Sequence, residues 1–257
     1  FLLAVPLFLI MRRRPEDIGL QPDGDQIASG GVSDKSSQHG MSHSPDSGAP
    51  TQYAWRTSEA AMTRTFWFIV GSGAVVILAD GAIGFQVVPY LRDSGLAQAM
   101  AVTALSLSAL LGALVSPLMG YLADKYSPRT LAVYGLAITA GVTSLFFITD
   151  SGQGRFVVVI LWGTASGGIH VLTSMMLAQY FGRASFGSIT GLTGPIQMAF
   201  LGLGPSFGAS LVSLTGGYTA LFVYAVSAFV VAMVLLYSVR PSRLPSRALT
   251  DNRTDND

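Results

Sequence analysis

The sequence contains no cysteine, which excludes disulfide bonds and thiolate metal sites. Charged residues are also scarce: Asp, Glu, Lys and Arg make up 11% of the 257 residues, against about 25% in an ordinary soluble domain. The 15 basic and 14 acidic residues nearly balance, so no strongly positive surface indicates a nucleic-acid partner. Half of the residues are hydrophobic. This composition is typical of a protein whose surface lies largely in lipid.

Most of the hydrophobic residues fall in six long apolar segments. These cover about 65–91, 97–119, 130–149, 156–180, 186–214 and 218–239. Each is close to the roughly 20 residues that a helix needs to cross a bilayer. Strands of a membrane barrel are shorter, about 9–11 residues, and alternate polar with apolar side chains, which these segments do not. The sequence therefore predicts an all-α membrane protein with a six-helix transmembrane bundle over 64–240.

The remaining parts of the chain are polar or short. Residues 1–11 form an apolar run that is too short to span a bilayer, and we interpret it as the end of an earlier transmembrane helix. Residues 12–63 are rich in Gly, Ser, Asp and Pro and predict a mostly disordered linker, with a short surface helix near 57–64. Residues 241–257 predict a disordered tail.

The distribution of basic residues predicts the orientation. Thirteen of the 15 Lys and Arg residues lie in the linker, the tail and the second and fourth connections between the apolar segments. Only Arg92 and Arg155 lie in the other set of connections. Because Lys and Arg concentrate in cytoplasmic loops, the linker and the C-terminus are predicted to be cytoplasmic, in a cell or inner membrane.

The connection after the second segment carries a charged motif, Gly-Tyr-Leu-Ala-Asp-Lys-Tyr-Ser-Pro-Arg. It resembles the cytoplasmic loop motif of the major facilitator superfamily, Gly-x-x-x-Asp-Arg/Lys-x-Gly-x-Arg. The matching residues are Gly120, Asp124, Lys125 and Arg129, and Ser127 stands where the family usually has Gly. In the family this motif latches one of the two access states, so the resemblance implies a gating role. Independently, charges at this hinge can pair with the ends of neighbouring helices, or can merely fix the topology.

The arrangement of the chain extends this resemblance. Six helices after a long cytoplasmic linker are similar to the C-terminal half, helices seven to twelve, of a twelve-helix member. Segments 12–20 and 180–183 are similar to prokaryotic monocarboxylate and oxalate/formate carriers. The resemblance implies a secondary transporter of a small solute, such as a monocarboxylate or related organic anion, that works by alternating access together with an N-terminal half. A drug or sugar exporter, or a non-transporting receptor or scaffold on the same fold, are the alternatives.

Two ionisable residues lie deep inside the predicted spans. Asp80 is roughly 16 Å and His170 roughly 21 Å from the same predicted outer face, at ~1.5 Å of rise per residue. Ionisable side chains are costly in a bilayer and often mark substrate or proton pathways. A carboxyl group there could bind and release a proton. The alternative for both is a structural hydrogen bond between helices.

Other polar residues accompany this pair. Ser166, His170, Thr173 and Ser174 fall at helical spacing and predict a polar stripe on one helix face, which lines a cavity or makes interhelical hydrogen bonds. Gln86 could contact a substrate or satisfy carbonyls freed by Pro89. No Lys or Arg lies deep in a span, so a carboxylate substrate would need its positive partner from protonated His170 or from elsewhere.

The fifth segment is rich in glycine and has two Gly-Pro pairs. Gly194–Pro195 and Gly204–Pro205 should bend this helix. Two small-xxx-small spacings, Gly187 with Gly191 and Gly204 with Gly208, favour close helix contacts. We interpret it as a gate helix, with static packing as the alternative.

The sequence gives no indication of an enzyme. It has no Gly-x-x-x-x-Gly-Lys-Ser/Thr loop for nucleotide phosphates. One Asp and one His inside the spans are too few for a catalytic or metal-binding set. We therefore predict no catalytic residues, no metal and no cofactor, and expect transport to be driven by a gradient of protons acting through Asp80.

Overall fold

The computed structural model describes residues 57–182 and 185–239. Its helices are α1 Thr57–Ala61, α2 Arg64–Asp93, α3 Gln98–Lys125, α4 Pro128–Ser144, α5 Gly152–Ser166, α6 Ile169–Phe181, α7 Phe186–Thr215 and α8 Thr219–Tyr237, with a 3-10 turn at Leu145–Phe147. The predictions for 1–11, for most of the linker and for the tail lie outside the described residues, as does Arg183 in the fourth connection. The short helix predicted near 57–64 is α1, which ends at Ala61.

Six helical stretches are long and apolar enough to cross a membrane. The first two spans are α2 and α3, and the last two are α7 and α8. Between them, the third span consists of α4 and its 3-10 turn, and the fourth span consists of α5 followed by α6. The prediction of an all-α fold with six membrane-spanning helices is therefore confirmed.

The fourth span differs in one respect from the continuous helix predicted over 156–180. Its helix is interrupted between Ser166 and Ile169, at Gly167 and Gly168. Both glycines keep backbone angles of the right-handed helical region, so the span continues across the interruption. Nothing in the apolar composition changes at this point, which is why the run of hydrophobic residues does not reveal the break.

Polar side chains and glycines set several helix ends. The hydroxyl of Thr63 accepts a hydrogen bond from the backbone N–H of Phe66 at the start of α2, and Ser151 does the same for Gly154 at the start of α5. Helix α7 ends at Thr215 and is followed by Gly216, whose φ of 71° lies in the left-handed region that favours glycine. The chain can therefore turn directly into α8.

Helix α2 is the central element of the packing. It contacts α7 and α8 most extensively, whereas α3 packs chiefly against α5, and α4 packs against α8, α5 and α6. Glycines let α2 and α7 approach closely: a Cβ atom on Gly204 would lie 2.9 Å from the Cα atom of Gly81, and one on Gly208 would lie 2.7 Å from the carbonyl oxygen of Ala82. This crossing holds the backbone beside Asp80 against α7.

Candidate functional site

The two ionisable residues inside the spans meet in the structure. Nε2 of His170, on α6, lies 3.4 Å from Oδ2 of Asp80, on α2. The exposed fraction of the side chain is 16% for Asp80 and 48% for His170. The other carboxylate oxygen of Asp80, Oδ1, is buried and has no hydrogen-bond partner among the described residues. The pair thus combines a half-exposed imidazole with a carboxyl group that is held largely out of solvent.

A cavity of about 270 Å³ opens beside this pair. Helices α2, α6 and α7 line it through Ile77, Asp80, His170, Gln197, Met198 and Leu201. Apart from the pair, only Gln197 contributes a polar side chain to this lining. The cavity can therefore hold an apolar group next to the two ionisable side chains.

Gln197 is the polar lining residue that was not predicted from the sequence. Its amide nitrogen would lie 3.7 Å from a Cβ atom on Gly73, so α7 brings it against α2. The available signal was a lone glutamine two positions after the Gly194–Pro195 pair in an apolar helix. Uncharged amides in spans are common at helix contacts, so sequence position alone did not distinguish it.

The predicted polar stripe around His170 is divided between different surroundings. Thr173 is buried, and its methyl group would lie 3.2 Å from a Cβ atom on Gly73, so it packs against α2. Ser174 is exposed and donates a hydrogen bond to the carbonyl of His170 in its own helix. Ser166 lines a different groove, of about 280 Å³, between α3 and α5. The break at Gly167 and Gly168 separates Ser166 from the helix that carries the histidine.

Gln86 lies on the same helix as Asp80 but outside the lining of the cavity. It is half-buried, six residues further along α2 toward Pro89. At ~1.5 Å of rise per residue this places it roughly 9 Å along the helix axis from Asp80. The structure thus brings Asp80 and His170 together and leaves Gln86 apart from them.

The loop motif lies at one end of the bundle, where Arg129 makes the principal contact. Its Nε donates to the carbonyl oxygen of Leu236 at 3.1 Å, and its guanidinium also donates to the carbonyl of Tyr237. The guanidinium carbon stands 5.8 Å from the centre of the Tyr237 ring. Arg129 therefore binds the C-terminal carbonyls of α8, where a positive charge is favoured by the helix dipole.

The other three motif residues, Gly120, Asp124 and Lys125, make fewer contacts with neighbouring helices. Asp124 and Lys125 are exposed at the end of α3, and within the described ranges neither forms an ion pair. A Cβ atom on Gly120 would meet nothing within 4 Å. Their predicted gating role therefore stays a prediction, whereas the pairing of Arg129 with a neighbouring helix end is a contact in this structure.

We expect Arg129→Lys to lower the stability of the protein by about 1 kcal/mol, because an ammonium group cannot reproduce the paired guanidinium hydrogen bonds to the two carbonyls. The measurement is thermal unfolding of the full-length protein in detergent. Arg92→Lys is the matched control, since Arg92 is exposed at the end of α2 and its side chain donates no hydrogen bond within the part of the chain described here. Equal melting temperatures for both variants would contradict the contact.

A second polar cluster lies at the opposite end of the bundle, which the sequence analysis did not single out. The Tyr218 hydroxyl donates to Oδ2 of Asp93 at 2.6 Å. Arg155 donates to the carbonyl of Thr149 at 3.0 Å and to the hydroxyl of Ser94. Partial burial and the adjacent carboxylate raise the pKa of the Tyr218 phenol, so it remains a donor at neutral pH. The cluster links the end of α2 to the starts of α5 and α8.

The predicted gate helix is α7, which is helical from Phe186 to Thr215 with both prolines inside it. Its two Gly-Pro pairs differ in surroundings. A Cβ atom on Gly194 would meet nothing within 4 Å, whereas Gly204, beside Pro205, touches the backbone of α2. Among the described residues, Gly204 and Gly208 pack closely against α2, whereas a Cβ atom on Gly187 or Gly191 would meet nothing within 4 Å.

Six helical stretches long and apolar enough to cross a membrane define a polytopic membrane protein. The chain belongs to the Major Facilitator Superfamily, whose family model matches residues 2–254. This membership confirms the family predicted from the loop motif. It also shows that the chain is part of a membrane protein that is not an enzyme.

Three curated relatives share part of their sequence with the chain. A triacylglyceride transporter of Mycolicibacterium smegmatis is 32% identical over 183 residues, covering 68% of this chain and 32% of the relative. A triacylglyceride transporter of Mycobacteroides abscessus is 28% identical over 178 residues, covering 65% and 34%. One of Mycolicibacterium hassiacum is 28% identical over 189 residues, covering 68% and 34%. The chain thus spans about a third of the length of these relatives.

Among solved structures, the chain is similar to an auto-inhibited POT family peptide transporter. The TM-score is 0.58 at 20% sequence identity, over 71% of this chain and 39% of that one. At this identity the likeness supports the fold alone.

Proposed function

We propose that this chain is the C-terminal half of a proton-coupled secondary transporter that moves a lipid-like, largely apolar solute by alternating access. The observation that carries the proposal is the Asp80–His170 pair, with one carboxylate oxygen of Asp80 buried and unpartnered beside a cavity. Ionisable groups at this depth are costly and are retained where they bind substrates or protons.

The geometry of the pair supports proton exchange. An ionised carboxylate with a buried, unsolvated oxygen is unfavourable unless a positive charge compensates it. Protonated His170 supplies that charge at 3.4 Å, and protonation of Asp80 removes the need for it. The pair can therefore change between an ion pair and a neutral state. A cavity that opens first to one face and then to the other would carry the proton across with its substrate.

The apolar lining supports a lipid-like solute. Ile77, Met198 and Leu201 surround the pair, and within the described residues no Lys or Arg lies in the interior of a span. The three relatives named as triacylglyceride transporters support the same class of cargo. A neutral ester lipid would need no charged partner in the cavity.

A small organic anion is the second candidate. The observation that favours it is the half-exposed His170 on the cavity wall, which could pair with a carboxylate when protonated. A stronger cation for such a substrate would have to come from the N-terminal half of the transporter. We therefore rank a monocarboxylate below an ester lipid.

Alternating access would use both ends of the described bundle. We place the loop motif and the C-terminus in the cytoplasm, following the positive-inside rule. Arg129 bound to the end of α8 would then stabilise one access state, and α7 would move against α2. The cluster around Tyr218 and Asp93 would hold the opposite end.

The test uses the full-length protein in proteoliposomes with an imposed proton gradient. Movement of radiolabelled triacylglycerol to acceptor vesicles and of labelled small monocarboxylates into the lumen is followed in parallel, with a pH-sensitive dye inside. We expect triacylglycerol movement that is accompanied by proton flux and abolished by a protonophore. Carboxylate uptake in its place would overturn the lipid assignment, and movement unaffected by the gradient would overturn the coupling.

A further inference from the structure

The helix that carries His170 begins directly after the break in the fourth span. Helix α5 ends at Ser166 and α6 begins at Ile169, so His170 is the second residue of α6. Two consecutive glycines at a break give the backbone little resistance to bending. The direction in which His170 projects therefore depends on what fixes Gly167 and Gly168.

Helix α3 lies against the break along one face. Ser108, Gly112, Ser116 and Met119 are spaced by four, four and three residues and so share a side of the helix. A Cβ atom on Gly112 would lie 2.6 Å from the carbonyl oxygen of Gly163, and one on Gly167 would lie 2.5 Å from the carbonyl oxygen of Gly112. The Met119 side chain covers Gly168. Backbone contacts thus fix the break from the α3 side.

Ser116 adds a hydrogen bond to this contact. Its hydroxyl lies 2.7 Å from the carbonyl oxygen of Gly167 and 3.2 Å from that of Gly112 in its own helix. The shorter distance makes Gly167 the better acceptor. In lipid a carbonyl at a helix break needs a partner, and a serine from a neighbouring helix is a common solution.

Helix α6 also contacts α2 through two of its side chains. Thr173 packs against Gly73, and His170 reaches Asp80 one turn earlier on the same face. Helix α6 therefore contacts α3 at its start and α2 at the histidine, and it also packs against α4. A change in the tilt of α6 at Gly167 would move Nε2 of His170 relative to the Asp80 carboxylate.

We infer that Ser116 is a positioning residue: its hydrogen bond to the Gly167 carbonyl sets the start of α6 and thereby places His170 against Asp80. The inference rests on the proposed function of this pair and extends it to a residue on a third helix. Among the described groups that face His170, Asp80 of α2 is titratable, while Gln197 of α7 is not, and α3 and α4 contribute no titratable group to the cavity. The titration of His170 should therefore report its contact with Asp80.

The experiment measures the titration of His170 by NMR in the full-length protein, labelled at histidine and assigned with His170→Gln. We expect Ser116→Ala to move the titration midpoint by about 0.5 pH unit toward the value found in Asp80→Asn, the effect of weakening one hydrogen bond. Ser116→Thr, which keeps the hydroxyl, should restore the wild-type midpoint.

Ser108→Ala is the matched control. It removes a serine hydroxyl from the same face of α3, but that hydroxyl donates to Leu105 in its own helix. A midpoint in Ser116→Ala equal to the wild type, or an equal movement in Ser108→Ala, would overturn the inference. The NMR signal does not require transport, so the two proposals can fail separately. If Ser116→Ala moves the midpoint but the wild-type protein shows no gradient-driven flux, the proposed coupling is refuted and the positioning role of Ser116 is retained.

Discussion

Asp80→Asn should reduce gradient-driven transport by roughly 10-fold or more, because an amide cannot bind and release the proton that couples the cycle. The substitution preserves the size of the side chain and keeps one oxygen atom that can accept a hydrogen bond from His170. It replaces a carboxyl group whose Oδ1 is buried without a partner in the described structure. The variant should therefore lose coupling without losing its fold, and its melting temperature should equal or exceed that of the wild type.

The readouts for Asp80→Asn are substrate movement and lumenal pH in the same proteoliposomes. Asp150→Asn is the matched control, since it makes the same change at an exposed position outside the helices and outside the proposed gating contacts. Transport by Asp80→Asn that still responds to the proton gradient as the wild type does would remove Asp80 from the coupling pathway. Unfolding of the variant would instead assign the carboxyl group a structural role.

Gly208→Ala should destabilise the protein by about 1–3 kcal/mol, the cost of forcing a methyl group into a closely packed contact. The new Cβ atom would lie 2.7 Å from the carbonyl oxygen of Ala82 and 3.0 Å from its Cα atom. Both are backbone atoms of α2, so no side-chain rotation can relieve the clash. Helices α2 and α7 would have to separate next to Asp80.

Gly202→Ala provides the comparison for Gly208→Ala. It introduces the same methyl group on the same helix, where a Cβ atom would meet nothing within 4 Å. We expect Gly202→Ala to leave the stability unchanged or to raise it slightly, since alanine has a higher helix propensity than glycine. The measurement is thermal unfolding of both full-length variants in detergent. If Gly208→Ala is as stable as Gly202→Ala, the close crossing of α2 and α7 does not hold in the full-length protein.

Several features of the fold could be predicted from the sequence because the bilayer imposes them. A segment of about 20 apolar residues can cross lipid only as a helix, since its backbone groups must bond internally. All six spans could therefore be located from the sequence. Similar depths for Asp80 and His170 were predicted from the fixed rise of a helix, and in the structure the two side chains lie 3.4 Å apart.

The neighbours of each side chain could not be predicted in the same way. A helix that is apolar on all sides carries no stripe that marks its inner face, so periodicity does not show which residues face which helix. Ser166 and His170 therefore seemed to share one face, although they line different cavities. Gln197 was overlooked for the same reason.

The sequence alone determined the class of protein, the number of spans and the two ionisable residues among them, because chain length, hydropathy and the loop motif are local properties. Only the tertiary structure decided the partners: Asp80 with His170, Arg129 with the end of α8, and Ser116 with the carbonyl of Gly167. These contacts depend on how closely glycine-lined helices approach and on where one helix breaks. Both are consequences of packing between segments distant in sequence, which no single segment encodes.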